Sequence, residues 1–502
     1  MTIASLLDEA ARRYGTRLAL ARGDVRLSFS DLHRQSDRLA RRLLDQAAPG
    51  DRAVFFLENS IEFLLATHAC ERAGLIRVPV NARFTAIELA HILAHCEPRL
   101  AFIDEATRAR FAAACVAADQ TPVVFNDARI RAAATDDDGV PPPAIDEQAP
   151  ASISYTSGTT GKPKGVLLSH GNWMAVWRNM LIDRDIRDGD RLGHVGPLTH
   201  ASGAYAMPLW LRGGASIIID HRGPADILRA LEAERITVLS CVPTMIARLL
   251  DEPLIEKTDL SALRRIFFGA ETMPKPLLDR ALARFGPIME QNYGLTEAMM
   301  TCITENAADV ARTERPSGML GRPYRFVEIV LRHADGTPVA DGEIGEVTIR
   351  SPHVMQGYWK APEETAKILR DGWLWSGDLA RRTPDGEIVL VGRAKDLVIS
   401  GGFNIYPAEV EAVIARHEAV REAAVFGIED VQWGERLVAC VALYEDVIHQ
   451  VDSETLASFC KPLLGYKTPK TWRISSEGLP RTANGKVDKA KLRAACLAAS
   501  LP

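Results

Sequence analysis

Short apolar runs and helical periodicities alternate along most of this chain. RAVFFLE (52–58) and ASIIID (215–220) read as buried strands, whereas IEFLLATHACERAG (61–74) carries its apolar residues at helical spacing. Such alternation predicts βαβ units around mostly parallel sheets, hence an α/β architecture. The opening MTIASLLDEAARRYG predicts an amphipathic helix rather than a signal peptide, because Asp8 and Glu9 fall inside what would be its apolar segment. Nowhere does an apolar run reach the roughly eighteen residues that a membrane-spanning helix needs. A cytoplasmic location is the default expectation.

Two stretches break this texture. From Ala133 to Pro150 the chain is rich in Asp and Pro (TDDDGVPPPAIDEQAP) and has no periodicity, which predicts a surface linker. After Lys395 the pattern changes again, and residues 396–502 read as a small α+β unit of roughly a hundred residues. The expected organisation is therefore a large N-terminal multi-sheet α/β region, 1–395, followed by a small mobile α+β C-terminal domain, 396–502. No internal repeat is present.

With 502 residues the chain can bury large cores without disulfide staples. Its eight cysteines show no CxxC spacing and no framework of short paired intervals, so they read as reduced, mostly buried thiols. A net charge of −5 with no long Lys or Arg block disfavours a nucleic-acid surface. Any polyanion must then be bound locally.

Residues 155–166 offer such a place. YTSGTTGKPKGV holds three glycines, two lysines and two hydroxyl clusters. Glycines let backbone N–H groups turn toward one point, hydroxyls add donors and lysine adds charge, a combination suited to a polyphosphate. It is not a Walker A loop, since Thr156 stands where GxxxxGK[ST] requires its first glycine and Pro163 follows the lysine. ASISY before it and VLL after it place the loop between two strands. A P-loop kinase or GTPase is disfavoured, and a serine hydrolase fits poorly because no GxSxG occurs.

This segment resembles the phosphate loop of the adenylate-forming superfamily, which includes acyl-CoA synthetases, peptide-synthetase adenylation domains and luciferases. Four further segments follow in the order that the family shows: FFGAETMP (267–274) with QNYGLTEA (291–298), WSGD (375–378), GRAKDLVISGGFNIYPAEVE (392–411) and LPRTANGKVDK (479–489). The resemblance implies ATP, Mg²⁺ and CoA as cofactor and co-substrates. Thr156, Ser157, Gly158, Thr159, Thr160 and Lys164 would hold phosphates, and Gly269, Ala270 and Glu271 would line the adenine. Asn292, Tyr293 and Gly294 belong to the same nucleotide site, Tyr293 by stacking on the purine. It further implies Thr296 on the α-phosphate, Glu297 on Mg²⁺, Asp378 on the ribose hydroxyls and Arg393 on ribose or phosphate. Lys395 would be the hinge, Gly401 and Gly402 the loop nearest the thiol acceptor, and Lys486 the cation between carboxylate and α-phosphate.

PLTHAS (197–202) resembles the border of the family's acyl pocket, with His200 and Ala201 on one side and Met299 and Met300 on another. Amino-acid-activating members commonly place Asp where His200 sits, so His200 fits acyl- and aryl-CoA ligases better. The implied activity is an AMP-forming acid:CoA ligase. The rivals are an enzyme that loads carrier-protein phosphopantetheine, a luciferase-like oxidase of the adenylate, and a nucleotide-binding regulator without catalysis. Further expected partners are a small carboxylic acid, a second copy in a homodimer, and a lysine acetyltransferase acting on Lys486.

Overall fold

In the computed structural model, residues 2–136, 138–156, 163–271, 273–444, 451–482 and 486–498 are described. They form three sheets. In the largest, six strands run parallel in the order Leu18–Arg22, Ala215–Ile218, Arg191–His194, Val238–Cys241, Arg265–Gly269 and Met289–Leu295. There the chain reverses into Ala298–Glu305, and the sheet continues antiparallel through Met319–Pro323, Ile388–Arg393, Trp373–Arg382, Ile344–Arg350 and Glu328–Arg332. The second sheet is parallel from Val123–Asn126 through Leu100–Ile103, Arg52–Phe56 and Ile76–Pro79 to Pro150–Tyr155, then turns antiparallel at Gly165–Ser169.

One apolar core joins these two sheets, drawing Leu20 and Phe267 from the first and Phe55 and Phe102 from the second. The helix Ile61–Ala73 lies inside it and is buried at every position. The opening helix Ile3–Tyr14 is amphipathic as expected; Thr2 and Ser5 close a reciprocal capping box at its start, and Ile3, Leu7 and Ala10 face the core. The Asp/Pro-rich stretch carries no regular element between Ala134 and Pro150 among its described residues and lies along the helix Phe29–Leu44, where Asp136 pairs with Arg42.

Beyond Arg393 the chain builds a separate unit with its own cores, drawn from residues between Val398 and Cys496. The long hairpin Val420–Asp430/Gly434–Leu443 forms its centre, with Thr471–Ser475 on one side and the short hairpin Val398–Ser400/Phe403–Ile405 on the other. A core that does not cross the boundary is what allows two units to move independently. The expected large α/β region and small α+β domain are both present. All eight cysteines are free, and seven of them are buried. Among the described residues no helix is long and apolar enough to cross a membrane.

Candidate active site

The parallel run of the large sheet ends where the strand Met289–Leu295 folds back through a turn at Thr296 and Glu297. Local packing dictates the residues there. A Cβ on Gly294 would sit 2.5 Å from the Met300 backbone nitrogen, and one on Gly269 would sit 2.4 Å from the Asn292 carbonyl oxygen, so both positions admit only glycine. Ala270 and Met300 hold φ of +67° and +58°. For residues with a Cβ this left-handed backbone costs about 1–2 kcal/mol each, and such strain gathers where a site must hold its shape.

Asp378 stands on the adjoining strand Trp373–Arg382, cross-strand from Arg393. Its carboxylate, 8 % exposed, accepts the Tyr293 hydroxyl at 2.7 Å and Arg393 Nε at 3.1 Å. Three residues from separate motifs are thus hydrogen-bonded into one group. Burial and the Asp378 charge raise the Tyr293 phenol well above its ordinary range, so it stays a donor.

Thr296 and Glu297 are half-buried on their turn. Glu297 accepts the Tyr358 hydroxyl at 2.7 Å through one oxygen. Tyr358 comes from the short strand Gly357–Tyr358, which pairs with Val166 and Leu167 just beyond the glycine-rich loop. Lys164 lies 5.1 Å above the Tyr358 ring and 2.5 Å from Glu364, whose carboxyl that contact and Lys367 hold down at about 2. Thr156 donates its N–H to the Lys164 carbonyl and closes the hairpin that carries the loop. Ser157, Gly158, Thr159 and Thr160 lie outside the described residues.

Lys486 belongs to the small unit, yet it lies within electrostatic reach of Glu271, Asp378 and Arg393 of the large one. Lys486 keeps an exposed surface, but crowding by the surrounding protein and the Arg393 charge hold its ammonium below the ordinary lysine range, against the pull of Glu271 and Asp378. Burial pushes the Glu271 carboxyl up, opposed by Lys486 and Arg481. Lys395 sits on a single 3-10 turn, Ala394–Asp396, between the last strand of the large region and the first of the small one. Gly401 and Gly402, both at positive φ (+59° and +82°), make a two-residue hairpin turn that only glycine fits readily.

Asn292 is held on both sides of its amide. Its Nδ2 donates to the Tyr205 hydroxyl, and its Oδ1 accepts the Tyr324 hydroxyl at 2.7 Å. Behind them lies Arg184, whose side chain is fully buried and donates to Tyr324 Oη at 2.8 Å, to Glu290 at 2.8 Å and to the Gln291 carbonyl at 2.7 Å. The Asn292 side chain therefore braces its strand.

His200 is exposed at the start of a single helical turn, Ala201–Ala204. Together with Met299 it lines a small cavity that runs toward the helix Ile61–Ala73. Ala201 and Met300 do not line that cavity.

Comparison with known proteins decides the family. The AMP-binding enzyme family matches residues 7–359, and the AMP-binding enzyme C-terminal domain matches residues 409–486. This chain belongs to the AMP-binding enzyme family. It is 36 % identical over 481 residues to a feruloyl-CoA synthase of an Amycolatopsis species, covering 95 % of each chain. Among solved structures it resembles the amide bond synthetase McbA from Marinactinospora thermotolerans (TM-score 0.88, 27 % identity, 98 % and 99 % of the two chains). It also resembles the o-succinylbenzoate CoA synthetase MenE from Bacillus subtilis in complex with the acyl-adenylate intermediate OSB-AMP (TM-score 0.86, 28 % identity, 97 % of each chain).

Several residues that shape the site of this AMP-binding enzyme escape motif reading. Tyr358, Tyr205, Tyr324 and Arg184 stand 61, 87, 32 and 140 positions from the partners they brace, Glu297, Asn292, Asn292 and Tyr324. The sequence signal for Tyr358 is faint, a GYW string between a Pro-containing turn and a helix. Arg184 carries none, since an arginine beside aspartates reads as a solvated surface group.

Proposed function

We propose that this AMP-binding enzyme is an ATP-dependent acid:CoA ligase. It joins a carboxylic acid to AMP with release of pyrophosphate, then passes the acyl group to the CoA thiol. The observation that carries the reading is the approach of Lys486, from one folding unit, to Glu271, Asp378 and Arg393 of the other. A carboxylate oxygen attacking an α-phosphate brings two anions together in a site with little water. A cation between them offsets a repulsion of several kcal/mol.

The other roles are those that the family resemblance implies. Asp378, already oriented by Tyr293 and Arg393, accepts the ribose hydroxyls; Thr296 donates to the α-phosphate; Gly269, Ala270 and Glu271 border the adenine. The glycine-rich loop, Thr156 through Thr160 with Lys164, takes the outer phosphates, which compete with Glu364 for Lys164. No group of three or more metal-ligating side chains exists among the described residues. Glu297 alone would hold Mg²⁺, with phosphate and water completing the shell, the arrangement that Mg²⁺ favours. The ion supplies charge neutralisation for the departing pyrophosphate. Because Tyr358 orients that carboxylate, Tyr358→Phe is expected to raise the Mg²⁺ concentration for half-maximal activity roughly tenfold. A Mg²⁺ titration at fixed ATP checks this; an unchanged requirement would remove Tyr358 from the metal site.

Placement of Lys486 at the large region supports the adenylation arrangement. Rotation of residues 396–502 about Lys395 would withdraw it and bring the Gly401–Gly402 turn to the thiol path beside His200. Each reaction would then exclude water from the same reactive anhydride. A homodimer remains a separate proposal, checked by light scattering.

The test is incubation with ATP, Mg²⁺, CoA and a panel of aliphatic and aromatic acids, following AMP and acyl-CoA by mass. Joint appearance of AMP and acyl-CoA is the expected result. Pyrophosphate release without acyl-CoA would move the acceptor to a carrier protein, and no turnover of any acid would defeat the ligase reading.

A further inference from the structure

Lys486 can act only where its backbone puts it. Its side chain is a flexible four-carbon stem with a compact charge at the tip, so its approach to Glu271, Asp378 and Arg393 depends on how the chain on either side is held. Two legs carry it. Arg481 and Val487 form a bridge between them, Thr482 donates its N–H to the Lys486 carbonyl at 2.8 Å, and Asp488 donates its N–H to the Pro480 carbonyl at 2.7 Å.

The legs are anchored differently. On the entry leg Leu479 is buried in a core with Phe426 and Cys440, and Glu422 accepts the Leu479 N–H at 3.0 Å and an Arg481 N–H at 2.6 Å. On the exit leg Val487 is only partly buried against that core. The polar anchor there is Lys489, three positions past Lys486. Its ammonium contacts Glu411 Oε1 at 2.6 Å and donates to the Val425 carbonyl at 3.1 Å, and the same Glu411 oxygen accepts the Val425 N–H at 2.7 Å.

Val425 gives this pair its physical basis. Its strand, Val420–Asp430, ends the sheet of the small unit, and an edge strand has N–H and carbonyl groups that no neighbouring strand takes up. Glu411 and Lys489 take one each. Glu411 stands on the helix Pro407–Ile414 and Lys489 opens the helix Lys489–Ala498, so one carboxylate ties two helices and a strand edge together just beyond Lys486. A side chain that must meet two anions within a few tenths of an ångström needs such a fixed base.

We propose that Glu411 is a positioning residue for acyl-AMP formation: by holding Lys489 against Val425 it fixes the exit leg behind Lys486, and with it the reach of the Lys486 ammonium. The proposal rests on the ligase reading. Because Glu411 acts through Lys486, its loss is felt in the half-reaction that uses this lysine and spares the other.

The experiment uses the full chain with Glu411→Gln, which keeps an oxygen for the Val425 N–H and removes the charge that holds Lys489. Pyrophosphate exchange with ATP, Mg²⁺ and an acid that the parent enzyme activates measures acyl-AMP formation, and acyl-CoA from synthetic acyl-AMP measures transfer. Their ratio within one preparation does not depend on its folded fraction. Acyl-AMP formation should fall about tenfold and transfer by less than about twofold, the mark of a displaced group rather than a missing one. Lys489→Gln should show the same one-sided loss, and Lys489→Arg, which keeps the cation, should recover most of it. In the Lys486→Ala background, where there is no ammonium to position, Glu411→Gln should cost less than about twofold more. Equal loss in both half-reactions, a tenfold loss that persists in the Lys486→Ala background, or unchanged acyl-AMP formation in Glu411→Gln would each overturn the proposal and leave the ligase reading intact. A parent enzyme that activates no acid would overturn both.

Discussion

Lys486→Ala is expected to slow acyl-AMP formation by about 10²-fold or more, the scale on which removal of a group that stabilises developing charge is felt. Transfer to CoA from preformed acyl-AMP should be nearly unaffected, since on the proposed rotation Lys486 would already be withdrawn at that step. Pyrophosphate exchange measures the first half-reaction, and acyl-CoA formation from synthetic acyl-AMP measures the second. Equal losses in both would place Lys486 in general folding rather than in adenylation. Acetylation of Lys486 removes the same charge and should act with the same sign, so an acetyltransferase would silence the first step alone; full ATP-dependent activity in acetylated protein would refute that regulation.

The same lysine sets a pH dependence. Desolvation and Arg393 hold its ammonium below the ordinary lysine range, so the cation is lost earlier as pH rises. The kcat/KM for adenylation, which reports groups of the free enzyme, should decline on the alkaline side at a pH below that of an ordinary lysine. The Lys486→Ala variant should lack that limb.

Arg184→Met should cost the large region about 3 kcal/mol or more of stability, because it leaves buried partners without their cation. The Arg184 guanidinium reaches Tyr324, Glu290 and the Gln291 carbonyl with none of its side chain exposed. Arg265 still contacts Glu290 at 2.9 Å, Tyr324 still donates to Asn292, and Thr304 Oγ1 still donates to the Gln291 carbonyl at 3.3 Å, but all three groups lose the charged Arg184 donor. Tyr324 and Tyr205 together hold Asn292. The strand leading to Thr296 and Glu297 should therefore loosen, and adenylation should fall further than the loss of folded protein explains. Urea unfolding and activity per folded molecule separate the two effects; stability within about 0.5 kcal/mol of the parent would show the network to be dispensable.

The backbone chemistry of the site was legible in consecutive residues. Glycines at 294, 401 and 402 report positions that a Cβ cannot occupy or that hold positive φ. Alternation before and after the glycine-rich loop foretold the hairpin Pro150–Tyr155/Gly165–Ser169. The helical spacing of the apolar residues in IEFLLATHACERAG announced a helix, whereas its burial on every face, charged residues included, appeared only in the structure.

By itself the sequence determined the α/β class, the two-part organisation, and the glycine-bearing strings of the candidate site. These depend on φ, ψ and side-chain period, which neighbouring residues set among themselves. Only the tertiary structure decided which side chains complete the site. Tyr358 on Glu297, Tyr293 on Asp378 and Arg184 behind Asn292 all depend on how the sheets pack. A polar side chain reads as solvated until packing removes its water, and the partner that then satisfies it is chosen by proximity in space, which no local pattern encodes.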